Sequence, residues 1–202
     1  MIQTLVKRLG LERMLHRRSL HSLSTLSLLN MTLMCLCGCG DPPPQAPALR
    51  NGPVYQNDAA GLRFLVPDMW QQTASSALPR GELEKEILLA RYQLQTSASG
   101  GSLEVYCMND SPLLDLLTYH RAPSFGVAEW NIIEGPEEIQ FQGITATHLL
   151  LAGTVNNNQL GKDVTVFRRG ARVFSFVGLY SLDDPNARQQ IERAVRSVVW
   201  KE

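Results

Sequence analysis

From Tyr55 onward, hydrophobic and polar positions alternate in short runs closed by turn residues, the pattern of half-buried strands. "GLRFLVP" places Leu62, Phe64 and Val66 on one face, Pro67 and Asp68 turn the chain, and "MWQQTAS" is expected to return as the partner strand. "ILLARYQLQ" gives Leu88, Ala90, Tyr92 and Leu94 a common face, and "SLEVYCMN" does the same for Leu103, Val105 and Cys107. "LPRGELEKE" reads as a loop or short helical turn, and "ASGG", Ala98 to Gly101, as a hairpin loop. "EIQFQGITATHLLLAGTV" reads as one long strand or two, with Gly143 at a bulge. The clearest hairpin is "DVTVFRRGARVFSFVGLY": Val164 and Val166 alternate on one side, Gly170 supplies the turn, and Phe174, Phe176 and Tyr180 alternate on the far side.

Two segments follow the helical period instead. Ser111 is expected to cap a helix with Pro112 in its first turn and Leu113, Leu116 and Leu117 as its apolar stripe. Asp183 or Asp184 caps the second, Pro185 opens it, and Ala187, Ile191, Ala194, Val195 and Val198 form its buried side. Arg188, Glu192, Arg193 and Arg196 form its solvated side. A chain of about 148 residues from Tyr55 buries something near 70% of its extended-chain surface, enough for a core without staples. Hairpin-linked strands with helices between and after them predict an α+β fold, an antiparallel sheet flanked by helices.

Charge changes the picture at the N-terminus. The chain has 19 Lys and Arg and 19 Asp and Glu; residues 1–39 hold five and one of these. From Gly40 onward 14 basic residues face 18 acidic ones, a net of about −4, which argues against a nucleic-acid partner. The five basic residues belong to a leader: a basic region ending at Arg17 and Arg18, the apolar run "LSTLSLLNMTLMCL", then small residues and Cys39. The run is too short and too polar for a membrane span, which needs ~20 apolar residues. Translation from Met14 instead of Met1 would give a leader of more usual length, and "RRSLHS" lacks the remainder of a twin-arginine signal.

Leu36-Cys37-Gly38-Cys39 at the leader's end resembles a bacterial lipobox. That resemblance implies a diacylglyceryl group on the Cys39 thiol and cleavage after Gly38. A Cys-x-Cys-x-Cys copper site competes for Cys35, Cys37 and Cys39, but no histidine or fourth cysteine stands near, and two ligands would leave with the leader. The domain organisation expected is a lipoprotein signal over 1–38, a lipidated Cys39 and proline-rich tether over 39–53, and one α+β domain over 54–202. Pro42, Pro43, Pro44 and Pro47 favour polyproline II, so the tether reaches roughly 40 Å. Only Cys39 and Cys107 remain in the mature chain, and with Cys39 acylated no internal disulfide forms.

The element order resembles a known superfamily. A tyrosine-led start, then "GLRFLVPDMW", a mid-chain helix, a glycine-bearing strand, a hairpin, and a closing helix ending in "RSVVW" are similar to the PsbP-like proteins, which include DcrB-like bacterial lipoproteins. The resemblance implies an α/β/α sandwich and a non-enzymatic binding or assembly role. It carries over no binding residues.

Candidate chemistry is sparse, and no catalytic or metal site is assigned. His120 ends a helix, where an imidazolium meets the helix dipole. His148 alternates with Ala146 and Leu150 and reads as a half-buried strand residue. Asp115 lies five residues before His120, which is not helical-neighbour spacing. Cys107 sits on an apolar face with no activator in the local sequence, so it reads as packing. The acidic loop "EGPEE" (Glu134, Glu137, Glu138) offers calcium-type ligands but reads first as solvated charge. Trp70 and Trp130 read as core anchors, and "ASGG" lacks the lysine of a phosphate cradle.

The function expected is a lipid-anchored protein on the extracytoplasmic side of the cell envelope. It needs no cofactor and binds a protein or small ligand, with the membrane as its anchor partner. Two rivals stand beside it: an exported enzyme whose residues converge only in space, and an accessory that acts by tethering. A cleft joining His120 or His148 to carboxylates would favour the enzyme, and an exposed apolar patch above a few hundred Å² would favour a protein partner.

Overall fold

The computed structural model describes residues 52–94, 100–141 and 143–201; the leader, Cys39 and almost all of the tether lie outside them. The elements belong to one compact unit, Pro44–Glu202. A seven-stranded antiparallel sheet runs β3 (Trp70–Ser75), β4 (Ile87–Leu94), β5 (Ser102–Asn109), β9 (Arg172–Ser181), β8 (Asn158–Arg169), β7 (Ile144–Val155), β6 (Asn131–Phe141). A second sheet has the order β1 (Val54–Asn57), β2 (Leu62–Leu65), β10 (Val199–Trp200). The helices are α1 (Leu116–Arg121) and α2 (Pro185–Arg196). The fold is therefore α+β, as the alternation predicts. Among the described residues no helix is long and apolar enough to cross a membrane.

The alternation works because each face of the large sheet has its own cover. The small sheet and α2 bury one face around Phe64, Tyr92, Phe167, Phe176 and Trp200. These rings meet edge to face, with centroids 5.5 Å apart for Phe64–Phe176 and 5.6 Å for Phe167–Phe176, contacts worth about 0.5–1.5 kcal/mol each beyond area burial. The opposite face carries Val127, Trp130, Leu149, Leu151, Val164, Val166, Val173 and Val177, with Leu116 and Leu117 of α1 against it. Among the described residues, the cover there is one short helix and the irregular segment after it.

The β8–β9 hairpin forms as expected. Gly170 holds φ +59° in its turn, and Val164 and Phe176 lie on opposite faces. The closing helix also follows its sequence: Asp184 caps it through the Ala187 amide at 3.1 Å, and Ala187, Ile191, Ala194 and Val195 are buried. It crosses β9 at Gly178, where a Cβ would stand 2.4 Å from Ile191 Cγ2. Glycine sets that approach.

Other expectations need correction. The strand after Pro67 does not return against β2: β2 pairs with β1 and β10, while β3 crosses to the large sheet and pairs with β4. Leu88 leaves its expected face because a bulge between Leu88 and Ala90 lets Leu89 share the buried side. Gly143 lies in the turn between β6 and β7, at φ +82°, and not at a bulge within a strand. "EGPEE" is part of β6, whose pairing with β7 is interrupted around Glu134, and not a loop. Most of the "ASGG" loop lies outside the described residues, though β4 and β5 do pair as its flanks. The first helix starts four residues later than expected. Asp115 caps it by accepting from Leu117 and Thr118 at 3.0 and 3.3 Å, and Leu113, expected in its apolar stripe, is 93% exposed.

Candidate functional site

Lys162 faces the α1 side of β8, in the same period-two row as Val164 and Val166, and is only 3% exposed. A buried ammonium needs partners. Two of its three donors go to the carbonyl of His120 at 2.7 Å and to Ser124 Oγ at 3.2 Å. The Trp130 and Phe125 ring centroids lie 5.2 and 5.6 Å away. Trp130 Nε1 donates to the same Ser124 Oγ at 2.9 Å, so the segment after α1 is tied down by one cation and one indole.

These groups border a cavity of about 230 Å³ whose walls include Glu86, Tyr106, Tyr119, Phe125 and Lys162. Tyr119 and Phe125 are 38% and 39% exposed and form its rim. Burial pushes the Lys162 ammonium down to about 8, against the opposing pull of Glu86 and Glu104. Burial raises the Glu86 carboxyl, which Tyr119 hydrogen-bonds. Glu104 is buried and ion-paired with Arg91, and Tyr106 donates a hydroxyl to it. The cavity thus offers one cation, an aromatic rim and internally balanced carboxylates.

His120 is not the dipole-facing cation expected of a helix end. Its ring is buried, with Nε2 3.5 Å from Ser175 Oγ, and burial and then the Lys162 charge push its pKa down to about 3. It is a neutral packing residue whose backbone carbonyl holds Lys162.

His148 lies on the other face and is half-buried, as its strand position predicts. Its Nε2 is 3.0 Å from Asp163 Oδ1 and its Nδ1 3.4 Å from Glu137 Oε1, in a cleft of about 180 Å³ that Arg188 and Glu192 also line. The hydrogen bond to Asp163 raises its pKa, with burial opposing. This is the joining of histidine to carboxylates that distinguishes an enzyme. Yet a general base needs one ring nitrogen facing its substrate, and both nitrogens here are engaged. Asp163 Oδ2 and the Tyr180 hydroxyl are buried without partners among the described residues.

Of the remaining candidates, Cys107 is fully buried and burial pushes its thiol up to about 11, so it is not a poised nucleophile. Glu134 pairs with Arg188 at 2.9 Å and Glu137 faces His148, so two of the three carboxylates of the acidic segment serve different partners. Trp70 and Trp130 are both core residues. Sequence reasoning missed Lys162. Its signal was its place in the row of Val164 and Val166, one step before the strand was taken to begin.

The geometry and topology define an α+β domain of PsbP-like fold. The cyanobacterial PsbP protein, CyanoP, of Synechocystis is similar in structure: TM-score 0.53 at 16% identity, over 82% of this chain and 99% of that one. Weaker likenesses are PA94 of Pseudomonas aeruginosa, titled a protein of unknown function and putative regulator (TM-score 0.48, 12% identity, 77% and 99% of the two chains), and LpqN of Mycobacterium tuberculosis, titled as involved in cell envelope biogenesis (0.47, 12%, 70% and 83%). No protein-family model matches the chain, and no curated protein does.

Proposed function

We propose that this chain is a lipid-anchored envelope protein, held on the extracytoplasmic side by acyl chains on Cys39, whose PsbP-like domain binds a ligand and catalyses no reaction. The observation that carries the anchor is the order leader, Leu36-Cys37-Gly38-Cys39, proline-rich tether, folded domain. One acyl chain binds a membrane only marginally, whereas the two or three of a bacterial lipoprotein hold firmly. The binding role draws on the cavity at Lys162. Its third donor is available to a carboxylate or carbonyl, and Tyr119 and Phe125 suit an apolar body. At about 230 Å³ it admits a small ligand, below the roughly 300–1,000 Å³ of drug-sized sites.

Metabolic labelling with a fatty acid tests the anchor. Cys39→Ala is expected to lose the label and accumulate as uncleaved precursor, while Cys35→Ala and Cys37→Ala keep both label and processing. Normal acylation of Cys39→Ala would reject the assignment.

The His148 cleft favours a second reading, an exported enzyme. Its carboxylates hold both imidazole nitrogens, which fits a structural pin better than a base. A hydrolytic activity abolished by His148→Gln in a folded protein would reverse that order.

A further inference from the structure

At the end of the large sheet where β8 turns into β9, three arginines gather with a fourth from the β3–β4 loop, away from the cavity at Lys162. Arg80, Arg168, Arg169 and Arg172 line a groove of about 690 Å³ whose floor includes Leu78 and Phe174. Among the described residues no acidic one lines it; Glu82 and Glu84, on the loop that bears Arg80, stand outside the lining. From Gly40 onward acidic residues outnumber basic ones, so this concentration runs against the charge of the domain.

The groove is assembled from distant parts of the chain and held in place. Arg172 donates through Nη2 to the carbonyls of Pro79 at 3.0 Å and Gly81 at 2.9 Å, the two residues that flank Arg80. One guanidinium therefore fixes the loop that presents another. Gly170 and Gly81, at φ +59° and +85°, let both turns close. The guanidinium of Arg169 lies 5.6 Å from the Trp200 ring, and Arg168 has one partly exposed pair with Asp110 at 3.3 Å. Arg80 has no carboxylate partner among the described residues. Arg80 thus adds a permanently charged guanidinium with no counter-ion to a lining that already holds three other arginines, and the repulsion among them is what an anion would relieve.

We propose that this groove binds a phosphate-bearing anion. A carboxylate satisfies one fork in one plane, whereas a phosphate directs two non-bridging oxygens as a diester, or three as a monoester, tetrahedrally to guanidinia arriving from different sides. The same chemistry comes from a free phosphorylated compound or from a phospholipid headgroup. The site follows from the domain alone and stands whether or not Cys39 carries a lipid.

Calorimetric titration of the full chain in detergent tests this with two water-soluble probes. They are inorganic pyrophosphate and glycerophosphoglycerol, the headgroup of phosphatidylglycerol without its acyl chains. At least one is expected to bind, more weakly as salt rises. Arg80→Ala should weaken binding roughly tenfold, the loss of one charged hydrogen-bonding fork. Arg80→Ala/Arg168→Ala should abolish it. Arg193→Ala, on exposed α2 surface, should leave it unchanged. Preference for pyrophosphate assigns the free compound, and preference for glycerophosphoglycerol assigns the headgroup. Melting curves check that each variant folds. Failure of both probes to bind at millimolar concentration would overturn the proposal, as would equal binding by a folded Arg80→Ala/Arg168→Ala protein.

Discussion

His148 and Asp163 meet at 3.0 Å between β7 and β8, on the face that α2 covers, and the contact ties protonation to folding. The pKa of His148 is raised in the folded state, so its contribution is fully present below the ordinary histidine value of about 6.5 and is lost as pH rises through the folded value. His120 has the opposite sign. Its folded pKa falls to about 3, so below about 6.5 the unfolded chain takes up a proton that the folded state refuses. Each group changes stability by at most about 1.4 kcal/mol per pH unit. Lys162, lowered to about 8, begins to add stability with rising pH only above that point. As pH rises above 6.5, His148→Gln should therefore flatten the decline expected of the native protein. Below pH 6.5, His120→Phe should reduce the acid-side loss. Urea unfolding at pH 5, 6.5 and 8 checks both; slopes unchanged in the variants would rule out this linkage.

Lys162 is expected to matter to both stability and binding. Lys162→Met leaves the His120 carbonyl without its donor, while Ser124 keeps its bond from Trp130. Losing one partner of a buried group costs about 1–3 kcal/mol, a fall of several degrees in Tm for a domain of this size. Benzoate, a small carboxylate with an aromatic body, should quench Tyr and Trp fluorescence in the native protein and not in Lys162→Met. Phe125→Ala, at the rim, should weaken benzoate with little change in Tm. An unaltered Tm in Lys162→Met would mean that the lysine is not the tie described.

Two glycines separate backbone strain from steric contact. A Cβ at Gly170 meets nothing within 4 Å, so Gly170→Val should cost ~1 kcal/mol or more purely through φ +59°. Gly170→Asn, which tolerates that conformation, should cost much less. At Gly178 the Cβ would press on Ile191, and Gly178→Ala should cost about 1–3 kcal/mol by displacing α2. Pairing it with Ile191→Ala, which removes the Cγ2 that stands 2.4 Å away, should cost less than the sum of the two single substitutions. Additive costs in the double variant would show that the helix does not feel Gly178.

What could be read from the chain was whatever repeats locally. The β8–β9 hairpin was legible because Val164, Val166, Phe174 and Phe176 alternate about a glycine. The helix α2 was legible because Asp184 and Pro185 mark its start. The crossing of β3 was not: Pro67 and Asp68 announce a turn, but nothing local says which sheet Trp70 joins. The two-residue β10 pairs with Leu62 and Arg63, more than 130 positions earlier, and has no length over which to show a period. Glu134 and Glu137 read as loop charge because the irregular β6 leaves most of its residues exposed. The same limit applies to the sites. Arg168, Arg169 and Arg172 surround one visible turn, but Arg80 reaches them only through the folded chain.

The folded unit is expected to stand without lipid, disulfide or metal. Pro53 accepts a backbone hydrogen bond from Val66 at 2.8 Å, so a fragment should begin at Gly52 and not at Val54, where the domain was expected to start. Such a fragment keeps one cysteine, the buried Cys107, and so has no internal disulfide for a reductant to break. Among the described residues no group of His, Cys, Asp and Glu is arranged to hold a metal, and Glu134 and Glu137 already pair with Arg188 and His148. A structural metal would make folding depend on its presence. The Tm of the 52–202 fragment should therefore be the same in buffer, in dithiothreitol and in EDTA. A fall of several degrees in EDTA corresponds to roughly 1 kcal/mol or more for a domain of this size and would reveal a bound cation. The His148 cleft would be the first place to look, because there a buried carboxylate oxygen of Asp163 has no partner among the described residues.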